Sequence, residues 1–220
     1  MNRAIDVKGH ISSHPILGKY VDSDYDLPAP HKGSGVIGLI ILGQDPTVKR
    51  KESRKLIKEV LNLDKHGSLR CYLAGICAGL GLDLDVNVYA TNYLKNFFNR
   101  PPAQIKEVDI FQLFEPYWLP VLLEEIEPFA DIPIISLGQP LLGAMVKLGA
   151  SSFVHDYWGY TKNWQSGERG TYRYLAPEFN KTGRIIFPFP HQPSLNKEFY
   201  RDRLAEYIYF IRGIISSKEK

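Results

Sequence analysis

Four apolar stretches of strand length, rich in β-branched residues, set the strongest limit on how this chain can fold. They span residues 36–42, 86–90, 132–137 and 184–189. Because their hydrophobicity is nearly continuous rather than alternating, each strand should be covered on both faces. Strands of this kind, separated by helical patterns, predict a parallel sheet between two layers of helices. We therefore expect an α/β fold, a three-layer α/β/α sandwich with a central parallel four-stranded sheet.

The segments between these strands carry helical patterns. An amphipathic helix is predicted before the second strand. Its apolar stripe comprises Leu56, Ile57, Val60 and Leu61, and its basic face comprises Lys51, Arg54, Lys55 and Lys58. Further helices are predicted over 117–127, from Pro140 onward and over 197–215. Residues 1–33 are polar, contain proline and show no clear period, so they predict a surface arm that leads into the domain.

Length and composition favour one globular domain, over 34–220, after the N-terminal arm. The chain has 220 residues, of which 44% are hydrophobic, and this is enough for a sizeable core. No apolar run reaches the roughly 18 residues of a membrane span, and the N-terminus lacks the apolar core of a signal peptide. We expect a cytoplasmic monomer without membrane contact. Cys71 and Cys77 have no companions at metal-ligand spacing, so we expect reduced thiols, no metal site and no cofactor.

Polar residues follow the four strands at their carboxyl ends, where open parallel sheets bind ligands. In chain order, these residues are Gln44 and Asp45, Thr91 and Asn92, Gly138 and Gln139, and His191 and Ser194. A carboxylate, a side-chain amide and an imidazole at one rim suit a reaction that needs a base, a recognition group and an electrophilic stabiliser.

Each of the three central residues also has a structural explanation when it is taken alone. Asp45-Pro46 is a common turn or helix-start dipeptide, and Asn92 can satisfy backbone groups at a strand end. His191, which lies between prolines, can be a structural histidine. Since three separate explanations would have to hold at three equivalent positions, their convergence favours a functional site.

The residues at these strand ends resemble the uracil-DNA glycosylase superfamily. Gly43-Gln44-Asp45-Pro46 resembles the GQDPY motif of the classical branch, and His191-Gln192-Pro193-Ser194-Leu195 resembles its HPSPL motif. The segment VYATNYLK, at 88–95, with Arg100-Pro101-Pro102 after it, is closer to the iron-sulfur branch, and so is IISLG at 134–138. The resemblance covers about residues 36–215, and the cluster cysteines of the iron-sulfur branch are absent.

The resemblance implies a DNA glycosylase that flips a base out of DNA and hydrolyses its N-glycosidic bond. It implies that Asp45 activates or positions the attacking water and that Asn92 recognises uracil. His191, as a neutral imidazole, would donate a hydrogen bond to uracil O2. In the DNA, Ser194 would hold a phosphate, and Leu195 would fill the space that the flipped base leaves.

The same resemblance implies less about the walls of the base pocket. Gln44 belongs to the substrate-binding turn. Thr47 stands where the classical enzymes carry the tyrosine that excludes the thymine methyl group, so the pocket has room for a 5-substituted pyrimidine. Tyr72 and Leu69 are the candidates, by position, for the residue that stacks on the base.

A basic segment follows the turn that carries Asp45. The run from residue 49 to residue 70 carries eight basic and three acidic residues, which indicates either a solvated helix face or contact with DNA phosphates. The formal net charge of +3 permits a polyanionic partner such as single- or double-stranded DNA.

Two other functions are alternatives to a DNA glycosylase. One is a catalytically silent member of the same fold that binds nucleic acid or a base. Another is an α/β hydrolase of free nucleosides.

Overall fold

The computed structural model describes residues 2–48 and 50–217, and their strands form one five-stranded sheet. The strands are β1 (His31–Lys32), β2 (Leu39–Gly43), β3 (Val88–Asn92), β4 (Ile134–Leu137) and β5 (Ile186–Phe189). They lie in the order β1-β3-β2-β4-β5. β2 pairs in parallel with β3 and β4, and β4 pairs in parallel with β5. These four strands confirm the predicted parallel sheet and the α/β class.

The predicted number of strands is wrong by one. β1 adds to the free edge of β3 in the antiparallel direction, with His31 opposite Ala90. Only two residues long, β1 carries no alternating pattern that a sequence could reveal. Side-chain contacts hold it: the two ring nitrogens of His31 lie 3.0 Å from Glu59 Oε2 and 3.0 Å from the Leu84 carbonyl oxygen.

Helices cover both faces of the sheet. In the described residues they are α1 (Asn2–Ser13), α2 (Lys51–Arg54), α3 (Ser68–Leu80), α4 (Leu84–Asn87), α5 (Ile110–Ile126), α6 (Gln139–Met145), α7 (Val154–Tyr157), α8 (Glu198–Arg201) and α9 (Leu204–Ser217). The predicted helix over 117–127 falls within α5, and the one from Pro140 falls within α6. The predicted last helix is divided into α8 and α9, and α3 has no counterpart among the predicted helices. None of the helices in the described ranges is long and apolar enough to cross a membrane.

The predicted amphipathic helix around residues 51–61 is wrong. α2 ends at Arg54, Leu56 is 61% exposed, and Leu61 and Asn62 have φ angles of 57° and 54°. Those left-handed angles cannot occur inside a right-handed helix, so the backbone breaks there. Arg54, expected on a solvated face, is instead 2% exposed.

The N-terminal residues are part of the packed structure, which corrects the expectation of an irregular surface arm. α1 contacts α5, and Ile11 and Leu17 are buried in the core. Asp22, after α1, accepts a hydrogen bond from Arg54 at 2.9 Å and lies 3.2 Å from Lys51. This ion pair fastens the N-terminal segment to the chain that follows β2.

Candidate functional site

The carboxyl ends of β3, β2, β4 and β5 lie side by side at one edge of the sheet. Neighbouring strands are about 4.8 Å apart, so residues that directly follow them are gathered within a few strand widths. All residues of these four strands are buried, which fixes where each following side chain emerges.

Asp45 follows β2 in a tight turn and is held by the backbone of Thr47. The Thr47 amide donates a hydrogen bond to Asp45 Oδ1 at 2.8 Å, so the turn role suggested by the sequence is present. Desolvation by burial raises the pKa of Asp45 to about 6, against the opposing effects of the hydrogen bonds with Thr47 and the charge of Arg54. A carboxylate with this pKa is ionised at neutral pH and is a stronger base than an ordinary aspartate.

The turn that carries Asp45 is tied to the segment after β3. The Leu94 amide donates to the Gln44 carbonyl at 2.9 Å, and the Phe98 amide donates to Thr47 Oγ1 at 2.8 Å. Both ends of the turn are thus fixed by backbone amides. Thr47 uses its hydroxyl in this structural role.

Gly138, after β4, brings Gln44 and His191 together. Its φ angle is 94°, a conformation that favours glycine. A Cβ atom at this position would lie 2.6 Å from Gln44 Nε2 and 3.8 Å from His191 Cβ. Gln44 and His191 therefore border the same point above Gly138. Ala, or any larger residue, would push the Gln44 amide away from it.

His191 follows β5 and is exposed at the rim of the sheet. Desolvation lowers the pKa of its imidazole from the ordinary value, so the ring is neutral at pH 7. Its carbonyl accepts a hydrogen bond from the Ser194 amide at 2.7 Å, within the turn Gln192–Asn196. Leu195 in that turn is partly buried against the core. The imidazole is thus available as a neutral hydrogen-bond donor.

Tyr72 reaches the same rim from α3. Its hydroxyl donates a long hydrogen bond of 3.4 Å to the carbonyl of Pro190, the residue before His191. Leu69, on the first turn of α3, is partly buried against the core. Tyr72 thus lies beside His191, and Leu69 packs against the core.

Asn92, at the end of β3, is the most unusual polar residue of the site. It is 1% exposed, and in the described part of the chain neither Nδ2 nor Oδ1 has a hydrogen-bond partner. The explanation that Asn92 satisfies backbone groups is therefore wrong. A buried polar group without a partner costs about 1–3 kcal/mol, so an unpaired amide is a strong sign that it serves another purpose.

Lys95 is a residue of this region that the sequence did not single out. Its ammonium donates to Thr91 Oγ1 at 2.8 Å and to the Asn92 carbonyl at 3.2 Å, and it pairs with Glu125 of α5. Burial lowers the pKa of Lys95, although the charge of Glu125 opposes this effect. The lysine fixes the backbone that carries Asn92. Only the resemblance of the VYATNYLK segment could have pointed to it.

The basic segment after the Asp45 turn is partly structural. Arg54 and Lys51 pair with Asp22, and Arg70 pairs with Asp85 at 2.5 Å. Lys55 and Lys58 remain exposed. Within the described residues, no group of three or more histidine, cysteine, aspartate or glutamate side chains could hold a metal ion.

A cavity of about 580 Å³ lies between α1, residues 26–30, β3 and α5. Asn92 and Lys95 are among the residues that line it, but Asp45 and His191 are not. It is therefore a space beside the rim, distinct from the point where Gln44 and His191 meet. Comparison with protein-family models gave no match, and comparison with curated proteins gave none.

Proposed function

We propose that this protein is a DNA glycosylase-like hydrolase that flips uracil, or a related damaged base, out of DNA and hydrolyses its N-glycosidic bond. The observation that carries the proposal is the buried amide of Asn92, unpaired on both atoms, at the same sheet edge as Asp45 and His191. The sequence resemblance of these strand ends to the uracil-DNA glycosylase superfamily supports the same assignment.

Asn92 can recognise uracil through two complementary hydrogen bonds. In this proposal, Nδ2 donates to uracil O4, and Oδ1 accepts from uracil N3–H. Cytosine presents a donor and a bare nitrogen at the same edge, so it would leave both amide atoms facing like groups. Recognition by an otherwise unpaired buried amide discriminates strongly, because the wrong base leaves polar groups unsatisfied.

Bond cleavage separates two charges that the protein must stabilise. The bond between the sugar C1′ and uracil N1 breaks, its electron pair goes to the base, and the sugar becomes an oxocarbenium-like cation. Asp45, ionised above pH 6, faces the cation as an anion and accepts a proton as water adds to C1′. Neutral His191 donates a hydrogen bond to uracil O2, where the negative charge builds. No step needs a metal or cofactor.

The remaining residues are assigned to DNA. Gln44 lines the substrate turn, Ser194 contacts a phosphate beside the flipped nucleotide, and Leu195 fills the vacated space in the stack. The exposed residues Lys55 and Lys58 are available for further phosphate contacts. We propose that the protein acts as a monomer on single- or double-stranded DNA in the cytoplasm, a reducing compartment that suits its two free cysteines.

A strand-scission assay tests this function. Oligonucleotides with one uracil, single-stranded or paired with guanine, are incubated with the protein and treated with alkali, which cuts at a site without a base. We expect cleavage of both substrates, and thymine opposite guanine is tested beside them because Thr47 leaves room for a 5-methyl group. Binding without cleavage at any pH from 6 to 9 would instead support a silent binding protein. Cleavage of free deoxyuridine, but not of DNA, would support a nucleoside hydrolase.

A further inference from the structure

The unpaired amide of Asn92 is closed off from solvent. The residue is 1% exposed, so a base could not reach Nδ2 and Oδ1 without a movement of the atoms above them. Asn92 lies opposite Gly43 in the pairing of β3 with β2. The question is therefore which residue covers the amide on this face of the sheet.

Leu61 lies where that cover is needed. A Cβ atom on Gly43 would overlap Asn92 Oδ1 and would lie 2.7 Å from Leu61 Cδ2. The amide oxygen and the leucine methyl group thus border the same point above Gly43. Leu61 is partly buried and packs against the core.

The backbone that carries Leu61 adopts an unfavourable conformation. Leu61 and Asn62 have φ angles of 57° and 54°, in the left-handed region that leucine rarely occupies. The flanking residues are anchored: the Val60 amide donates to the Ala29 carbonyl at 3.0 Å, and Arg70 donates to the Leu63 carbonyl at 2.5 Å. Asn62 is held as well, because its amide donates to the Glu59 carbonyl at 3.2 Å and its carbonyl accepts from the Lys65 amide at 3.1 Å. The residue with room to change between these anchors is therefore Leu61.

We propose that Leu61 fills the base-recognition pocket of the free protein and is displaced by the base, so that it sets which ligands enter. This inference rests on the proposed function, because it assigns Asn92 to base recognition. The closed state combines an unpaired amide with a left-handed leucine. A ligand that supplies both hydrogen bonds to Asn92 removes the first penalty, and displacement of Leu61 removes the second.

The chemistry of the amide defines the ligand class. A planar group with an adjacent N–H donor and C=O acceptor, the imide edge of uracil or thymine, satisfies both atoms of Asn92. A ligand without that pair makes no such hydrogen bonds with Asn92, so nothing offsets the free energy that displacing Leu61 costs. Leu61 thereby adds discrimination that neither Asn92 nor Thr47 provides alone.

Titration of free uracil into the intact protein tests this role. The apparent affinity of the wild type is reduced by the fraction of molecules in which the pocket is open. Leu61→Ala removes the side chain, so we expect it to bind uracil at least about tenfold more tightly than the wild type. Leu56→Ala, which truncates an exposed leucine five residues earlier, is the matched control and should leave the affinity unchanged.

Two further variants keep the result unambiguous. Adding Asn92→Ala to Leu61→Ala should abolish the gain, because the amide is the ligand's partner. Leu61→Gly suits the left-handed backbone and replaces Leu61→Ala if that variant does not fold. The proposal is overturned if neither truncation of Leu61 binds uracil more tightly than the wild type, or if the gain survives the loss of Asn92.

The same preparations separate this proposal from the enzymatic one. If the wild type releases no uracil from DNA, but Leu61→Ala binds free uracil more tightly through Asn92, the glycosylase function fails and the role of Leu61 stands. If the wild type releases uracil and the truncated variants gain no affinity, the function stands and the role of Leu61 fails.

Discussion

Replacing Asp45 by asparagine should stabilise the folded protein at pH 8 and leave its stability at pH 4 almost unchanged. Asparagine has nearly the same shape, and its Oδ1 can still accept the hydrogen bond from the Thr47 amide. The substitution therefore removes mainly a negative charge. Since burial disfavours that charge, its removal relieves the folded state of a penalty.

The magnitude follows from the pKa of Asp45, which burial raises from the ordinary value of 3.8 to about 6. Each pKa unit corresponds to about 1.4 kcal/mol, so ionisation in the folded state costs about 3 kcal/mol when the pH is well above 6. Solvent screens part of this because the residue is partly exposed, and we expect about 1–3 kcal/mol. The pKa of Asp45 is higher in the folded state than in the unfolded state. The wild type therefore loses about this much unfolding free energy as pH rises from about 4 to 6.

Urea unfolding of the wild type and Asp45→Asn at pH 4, 6 and 8 measures the effect. We expect the difference in unfolding free energy to grow across this range and to level off above pH 6. For a chain of this size the gain corresponds to a rise in Tm of about 2–12 °C at pH 8. A variant that is less stable than the wild type at pH 8, or a difference that does not change with pH, would refute the reasoning.

Three further predictions test the site and its support. The value of kcat/KM for uracil release should rise with pH up to about 6 and level off above it, because Asp45 must be ionised and burial raises its pKa to about 6. A profile that falls between pH 6 and 8 would contradict this. Arg54→Ala should lower the unfolding free energy by about 3–5 kcal/mol, because it leaves the buried carboxylate of Asp22 without its main partner. Lys51→Ala, at an exposed partner of the same carboxylate, should cost less than about 1 kcal/mol, and equal losses in urea unfolding would argue against a buried pair. Gly138→Ala should reduce both thermal stability and activity, because the added Cβ would meet Gln44 Nε2 and the φ angle of Gly138 is positive. Gly75→Ala is the control: it has open space around it in α3, so it should be neutral or stabilising in the same thermal and activity assays.

The sequence was sufficient for the four parallel strands because burial on both faces leaves a nearly continuous apolar run. Its bounds were less certain: the run predicted over 86–90 begins inside α4, and β3 extends to Asn92. β1 escaped prediction since two residues, His31 and Lys32, pair through the backbone and are held by contacts with Glu59 and Leu84. The helix predicted through Leu61 failed for a different reason. Its apolar spacing is helical, but tertiary contacts with Gly43 and the core override that local preference.

The placement of the candidate polar residues at one sheet edge was predictable because parallel strands end at a common edge. Asp45, Asn92 and His191 were identified from their positions after strands. The approach of Leu61 and Asn92 to the same point above Gly43 was not predictable, because the two residues are 31 positions apart and Leu61 lies in a left-handed turn that leaves no mark in the sequence. Buried charges were equally hidden: Arg54 lies in a basic run that indicates a solvated face, yet it is buried against Asp22.

The most direct test of the proposed chemistry compares wild type and Asp45→Asn on one uracil-containing oligonucleotide, with single-turnover release and equilibrium binding measured at pH 8. Asp45 acts on the transition state, so we predict that the substitution slows release by about 10² or more. The Kd for the oligonucleotide should change by less than about threefold, because the ground-state contacts survive. If the pure, folded wild-type protein releases no uracil, or if Asp45→Asn releases it at the wild-type rate, the account of this site as a glycosylase centre is contradicted.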